Sequence, residues 1–112
     1  MMYEIPVSTE EIQEQSFSLF NMNLRFTLHF NRISNDWQFD LLNTNTDQYI
    51  AQMYGLTVNS PALITKNLPF VIVMSDSSGF GLNSIRRSEL GNRLKIYFVD
   101  KEVWHEAIRT TN

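Results

Sequence analysis

The sequence predicts an all-β protein, a small antiparallel β-barrel or sandwich of about six to seven strands with a short C-terminal helical turn. Three observations predict it. Residues 24–30, LRFTLHF, alternate apolar and polar side chains without a break, and 37–41, WQFDL, alternate again. A period of two marks a strand with one buried face. Residues 70–74, FVIVM, form an apolar run rich in β-branched residues, the composition of a strand buried on both faces. Between these runs lie clusters of Asn, Asp, Ser and Thr, which favour turns because their short polar side chains bond nearby backbone.

In order along the chain, residues 1–15 are polar and are read as an extended N-terminal arm, with 16–112 as a single β domain. Pro6 interrupts any regular ladder or helix there. Ser8 and Glu11 have capping-box spacing, but Ile12 is the one apolar residue that follows before Phe17, so a helix would have nothing to bury. The period becomes two at Phe17 and Leu19. Asn21-Met22-Asn23 reads as a short turn, because Asn tolerates left-handed backbone angles. The strand 24–30, a turn over 31–36 (NRISND), the strand 37–41 and a turn over 43–47 (NTNTD) then make an antiparallel meander. Residues 49–56, YIAQMYGL, form a weaker strand ending near Gly55, and TVNSPALI (57–64) is a loop. FVIVMSD (70–76) is a strand and SSGFGLNS (77–84) a flexible loop. SELGNR (88–93) reads as one helical turn, capped by Ser88 and ended by Gly91. LKIYFV (94–99) is the last strand. KEVWHEAI (101–108) is a terminal helical turn docked by Trp104, with Ile108 four residues on. The expected core is Leu24, Phe26, Leu28, Phe30, Trp37, Phe39, Leu41, Val71, Val73, Ile96 and Phe98.

The 112 residues are enough for one hydrophobic core. An apolar share of 43% and a charged share of 19% argue against general disorder. A net charge of −3 and a pI near 5.2 supply no basic patch for nucleic acid. There is no cysteine, so neither a disulfide framework nor a thiolate metal site exists. The N-terminus is acidic where a signal peptide would be basic. The longest apolar run falls far short of the roughly 20 residues a spanning helix needs. A chain made in the cytoplasm without a signal peptide is expected.

Candidate chemistry is sparse. His29 and His105 belong to no spaced ligand cluster, and no nucleophile-elbow signature accompanies any Ser or Thr. Asp36, Asp40, Asp76 and Asp100 flank turns and strand ends, where an aspartate bonds its own backbone. The glycines of 79–81 lack the lysine and following helix of a phosphate loop and are read as presenting an exposed Phe80. Arg86, Arg87, Arg93 and Lys95 are the one local positive cluster, either a solvated face or a patch that meets an acidic partner. Arg25, Thr27 and His29 project to one side of their strand and are read as the wet face of a sheet. No cofactor, metal or enzymatic activity is expected.

The order of elements resembles the small baseplate plug proteins of contractile-tailed bacteriophages. The resemblance rests on Ile5-Pro6-Val7, a polar stretch ending in Gln15 and Phe17, FTLHFN over 26–31, and Trp37 with Asp40. It continues through Gly55, SPALI, the apolar strand ending near Asp76, Leu90-Gly91 and LKIYF, so that it covers about residues 4–99. The turn NTNTD and the pair Ser60-Pro61 depart from the glycine-bearing turns usual in the family, and the VWHEAI tail lies outside it. The resemblance implies a non-enzymatic virion protein with no cofactor, a plug at the junction of tube, hub and spike that helps close the tail lumen. It implies hub, tube or tube-initiator and wedge proteins as partners, with homo-oligomerisation around the tail axis possible, and neither a membrane nor specific nucleic acid. The alternative from another class is a small ligand- or carbohydrate-binding β module, with Trp37, Tyr49, Tyr54 or Trp104 as stacking platforms. An enzyme with a purely spatial site is a third reading. Three segments are expected to bind partners: the arm through Tyr3, Ile5 and Ile12, the loop 77–87 through Phe80, Leu82, Arg86 and Arg87, and the C-terminal segment through Trp104.

Overall fold

The computed structural model describes residues 2–58, 60–77 and 89–110, the last five as backbone only. The all-β expectation holds, as a sandwich without a closed barrel. The strands are β1 (Met2–Ile5), β2 (Ile12–Leu19), β3 (Met22–Asn31), β4 (Asp36–Asn43), β5 (Gln48–Leu56), β6 (Phe70–Asp76) and β7 (Leu94–Asp100), followed by helix α1 (Lys101–Thr110). They form a four-stranded sheet ordered β2-β3-β4-β5 and a three-stranded sheet ordered β1-β7-β6. Every ladder is antiparallel.

The meander's turns follow from local chemistry. Leu19 pairs with Met22, leaving Phe20 and Asn21 as a two-residue loop with φ of 55° and 58°. Positive φ at both positions is the geometry that matches strand twist in a tight hairpin. Asn adopts it readily, whereas Phe does so only when held. The Phe20 ring is held, stacked on Phe70 at 5.3 Å and edge-on to Tyr3 at 5.7 Å. The next turn is organised by Asn31 Oδ1, which accepts from Ile33 N at 2.9 Å and Ser34 N at 3.3 Å. At Gly91 a φ of +84° strains any side chain, and a Val7 carbonyl 3.2 Å from where a Cβ would stand makes the fit tight. Gly91 lies in a turn before β7; Ser88 lies outside the described residues.

The core lies between the sheets. Leu24, Phe26, Leu28, Trp37, Phe39 and Leu41 face Phe70, Ile72, Met74, Leu94, Ile96 and Phe98. Two expectations change here. β6 is buried on both faces as predicted, but its inward side chains are Phe70, Ile72 and Met74. Val71 and Val73 point outward, Val73 only half buried. Periodicity carries no phase information in a run that is apolar on both faces. Phe30 is half buried and packs on the rim of the core. The terminal helix is ten residues long, longer than the single turn expected; Asp100 Oδ1 caps it, accepting from Glu102 N at 2.9 Å.

A further correction concerns residues 1–15, which are not an arm. β1 pairs with β7 from Met2↔Val99 to Ile5↔Ile96, and β2 pairs along its whole length with β3. The capping-box residues make a connector instead of a helix. Gln13 Nε2 donates to the carbonyls of Ser8 at 2.8 Å and Glu10 at 3.1 Å, Ser8 N donates back to Gln13 Oε1 at 2.9 Å, and Gln15 Nε2 donates to Pro6 O at 2.7 Å. Too few apolar residues for a helix are enough for an edge strand, which needs only every second side chain inward. Deleting residues 1–12 should therefore cost on the order of 3 kcal/mol or more, since burial of Ile5 and a full ladder are lost. Urea denaturation checks this, and an unchanged midpoint would return the segment to the status of an arm.

Candidate interaction surfaces

The polar face of the four-stranded sheet carries Arg25, Thr27 and His29 as expected, and it is tied together across strands. His29 Nε2 and Asp40 Oδ2 share a hydrogen bond of 2.9 Å, and Asp40 Oδ1 accepts from Met53 N at 2.7 Å. Met53 has φ 49° and lies where the β4–β5 register shifts. Asp40 thus satisfies a backbone donor that the bulge removes from the ladder. Arg25 and Glu14 approach to 3.4 Å with both side chains about half exposed, a contact worth little. No group of three or more potential metal ligands exists among the described residues.

The positive cluster is divided by the structure. Arg93 is neither solvated nor turned to a partner: Nη1 lies 3.0 Å from Asp76 Oδ2 and Nη2 donates to Glu89 Oε2 at 3.0 Å. Burial disfavours its charge, but the hydrogen bond and charge of Glu89, with those of Asp76, outweigh this and raise its pKa above the ordinary arginine value. Arg86 and Arg87, with Phe80 and Leu82, lie outside the described residues.

Among the described residues, two apolar depressions mark the surface. One is a cleft of about 270 Å³ between β1, over Tyr3–Pro6, and Gln15, Phe17 and Leu19 of β2. The outer strands of the two sheets therefore lie side by side. Tyr3 is half buried on Phe20, Ile5 is a core residue 5% exposed, and Ile12 is 67% exposed. Of the three residues predicted as anchors in this segment, Ile12 alone has its side chain out in solvent. The other depression, of about 440 Å³, lies on the outer face of the three-stranded sheet among Met2, Val73, Tyr97, Val99, Val103 and Trp104. Trp104 is half buried there, and its indole N–H has no partner among the described residues. Sequence reasoning missed Met2, Tyr97 and Val99. The available signal was the alternation of Tyr97 and Val99 with Ile96 and Phe98, which leaves a large apolar side chain on each face of β7.

A carbohydrate platform on Trp37 is ruled out by burial, since Trp37 is fully enclosed. Tyr49 and Tyr54 are exposed but pair with Leu42 and Phe39 respectively. Those partners point to opposite faces of β4, so the two rings share no platform.

A comparison with known protein families matches residues 2–101 to the cyanophage baseplate Pam3 plug gp18 family. The chain belongs to this family of phage baseplate plugs. The match takes in all seven strands and stops at the first residue of α1. Membership implies a place in the virion tail and contact with other baseplate proteins, and is consistent with a structural role. No curated protein matches the chain. No helix among the described residues is long and apolar enough to cross a membrane.

Proposed function

We propose that this chain is a non-enzymatic plug subunit at the junction of tail tube, hub and spike, where it helps close the tail lumen and bridges neighbouring tail proteins. The observation that carries the reading is the family match across every strand of the sandwich. The surface supports it. Two apolar depressions, on the open side and on the outer face of the three-stranded sheet, are what an assembling subunit presents and an isolated one has no use for. The partners are hub, tube or tube-initiator and wedge proteins, with other copies of the chain around the tail axis.

The test is removal of the gene, complementation with a tagged copy, and imaging of purified tails. The tag should sit at the tube–spike junction, and tails lacking the protein should be open at that end or fail to assemble. A tag distributed along the tube, or a protein missing from purified tails, overturns the reading.

A further inference from the structure

The two sheets have four edges, and they are not equally protected. β5 is interrupted by the bulge at Met53, which spoils it as a pairing template. β6 is covered by bridges from the 57–62 segment, with Ala62 exchanging backbone hydrogen bonds with Ile72 at 2.7 and 3.2 Å. β1 and β2 have no further strand beside them among the described residues. Their edges flank the 270 Å³ cleft. β2 is eight residues long, free of proline, and regular from Ile12↔His29 to Leu19↔Met22. A long, regular edge of this kind pairs with other chains unless something covers it.

Charge decides what covers it. Residues 1–15 hold Glu4, Glu10, Glu11 and Glu14 and no Lys or Arg. Glu11 is engaged by Arg32 at 2.5 and 2.9 Å, and Glu14 has the loose contact with Arg25. Glu4 and Glu10 form no ion pair among the described residues. Glu4 lies on the outer face of its sheet opposite Tyr97, and Glu14 on the outer face of the other sheet opposite Thr27. The cleft therefore has an apolar floor of Ile5, Phe17 and Leu19, with Glu4 in its lining and Glu14 one residue before the lining Gln15, held loosely by Arg25. A second copy would bring the same carboxylates against these, and like-charge juxtaposition is costly. A strand carrying Lys or Arg would be favoured.

We infer that the β1–β2 cleft is a docking site for an extended, basic segment of a neighbouring baseplate protein. The segment adds as a strand to the edge of β2, buries alternate apolar side chains against Phe17 and Leu19, and turns Lys or Arg toward Glu4 and Glu14. Backbone hydrogen bonds supply the attachment, while the apolar floor and the two carboxylates select the sequence. The inference rests on the reading of the chain as a baseplate component.

The experiment places a photo-crosslinking residue at Ser16, on β2, and in separate particles at Tyr49, on β5, and identifies adducts in purified tails by mass spectrometry. The Ser16 probe should capture a Lys- or Arg-bearing segment of another virion protein, and the Tyr49 probe should not capture that segment. In parallel, the E4K/E14K double variant should fall about tenfold or more in incorporation, with its melting temperature near that of the parent, while D47K, on the β4–β5 turn, incorporates normally. Capture of a second copy, capture of a segment without basic residues, or no capture from Ser16 in tails that contain the protein overturns the docking site alone. Absence of the protein from tails overturns the baseplate reading as well.

Discussion

Replacing Phe26 with alanine should destabilise the protein by about 4 kcal/mol, within the range for emptying a buried aromatic site. Phe26 is fully buried. Its ring lies 5.4 Å from Phe39 on the neighbouring strand and meets Phe98 of the opposite sheet edge-on at 5.5 Å. Phe98 in turn contacts Phe17 at 5.3 Å and Phe70 at 5.2 Å, and Phe70 leads through Phe20 to Tyr3. On the other side Phe39 contacts Tyr54. Phe26 is the link that joins these two groups of rings across the sandwich. Its loss removes contacts from both at once, and the surrounding β-strands, held by their ladders, cannot close the void. Thermal melting should show a fall of roughly 10–20 °C. Ile33→Ala, at a position 96% exposed, should change stability by no more than about 0.5 kcal/mol. A Phe26 effect as small as that would mean that the aromatic core repacks.

The middle of this fold was legible because its sequence has strict period and strong punctuation. β3 and β4 alternate cleanly, and the turns that follow them contain Asn and Asp at positions that adopt positive φ, Asn35 and Asp47. Such residues report backbone geometry directly. β6 was legible as a strand but not in its phase, because both of its faces are apolar. β1 and the first half of β2 were not legible at all. They are edge strands whose inward positions include Gln13 and Gln15, and those glutamines are spent on the backbone of the 6–10 connector. A polar side chain that satisfies a distant carbonyl looks, in one dimension, like a solvated one.

The surfaces were less readable than the core for a related reason. Which apolar side chains stay uncovered depends on which strands end up outermost, and that is set by pairing between residues far apart in sequence. Phe17 and Leu19 read only as the start of a period-two alternation until β2 is found at the edge of its sheet, facing β1 across an open cleft. Ile5, counted among the anchors, pairs with Ile96 and is enclosed. The family resemblance was legible without these details. It depends on the order of strands and turns, and both the quoted motifs and the family match stop at the edge of α1.

Arg93 should matter almost as much as Phe26, although nothing in its local sequence distinguishes it from the other basic residues around it. The Asp76 side chain is only 1% exposed, and Arg93 meets it at 3.0 Å while also holding Glu89 at 3.0 Å. Asp76 ends β6 opposite Leu94, the first residue of β7. The Arg93 carbonyl accepts from Ser77 N at 2.7 Å and from Ser77 Oγ at 2.9 Å. The ion pair thus closes the base of the β6–β7 hairpin. Arg93→Met keeps most of the side chain's volume and removes its charge, so the loss is electrostatic. It leaves a desolvated carboxylate without its guanidinium, a situation that costs about 3–5 kcal/mol. Arg93→Lys should cost less, about 1–2 kcal/mol, since one ammonium replaces a planar fork that reaches two carboxylates. The double variant D76N/R93M should recover part of the loss, because most of it is the penalty on a buried charge that has lost its guanidinium partner rather than the net worth of the pair. Urea denaturation of the parent, D76N, R93M and the double variant gives the coupling. Full additivity of the two substitutions would show that Asp76 and Arg93 act independently and that the hairpin base is closed by other contacts.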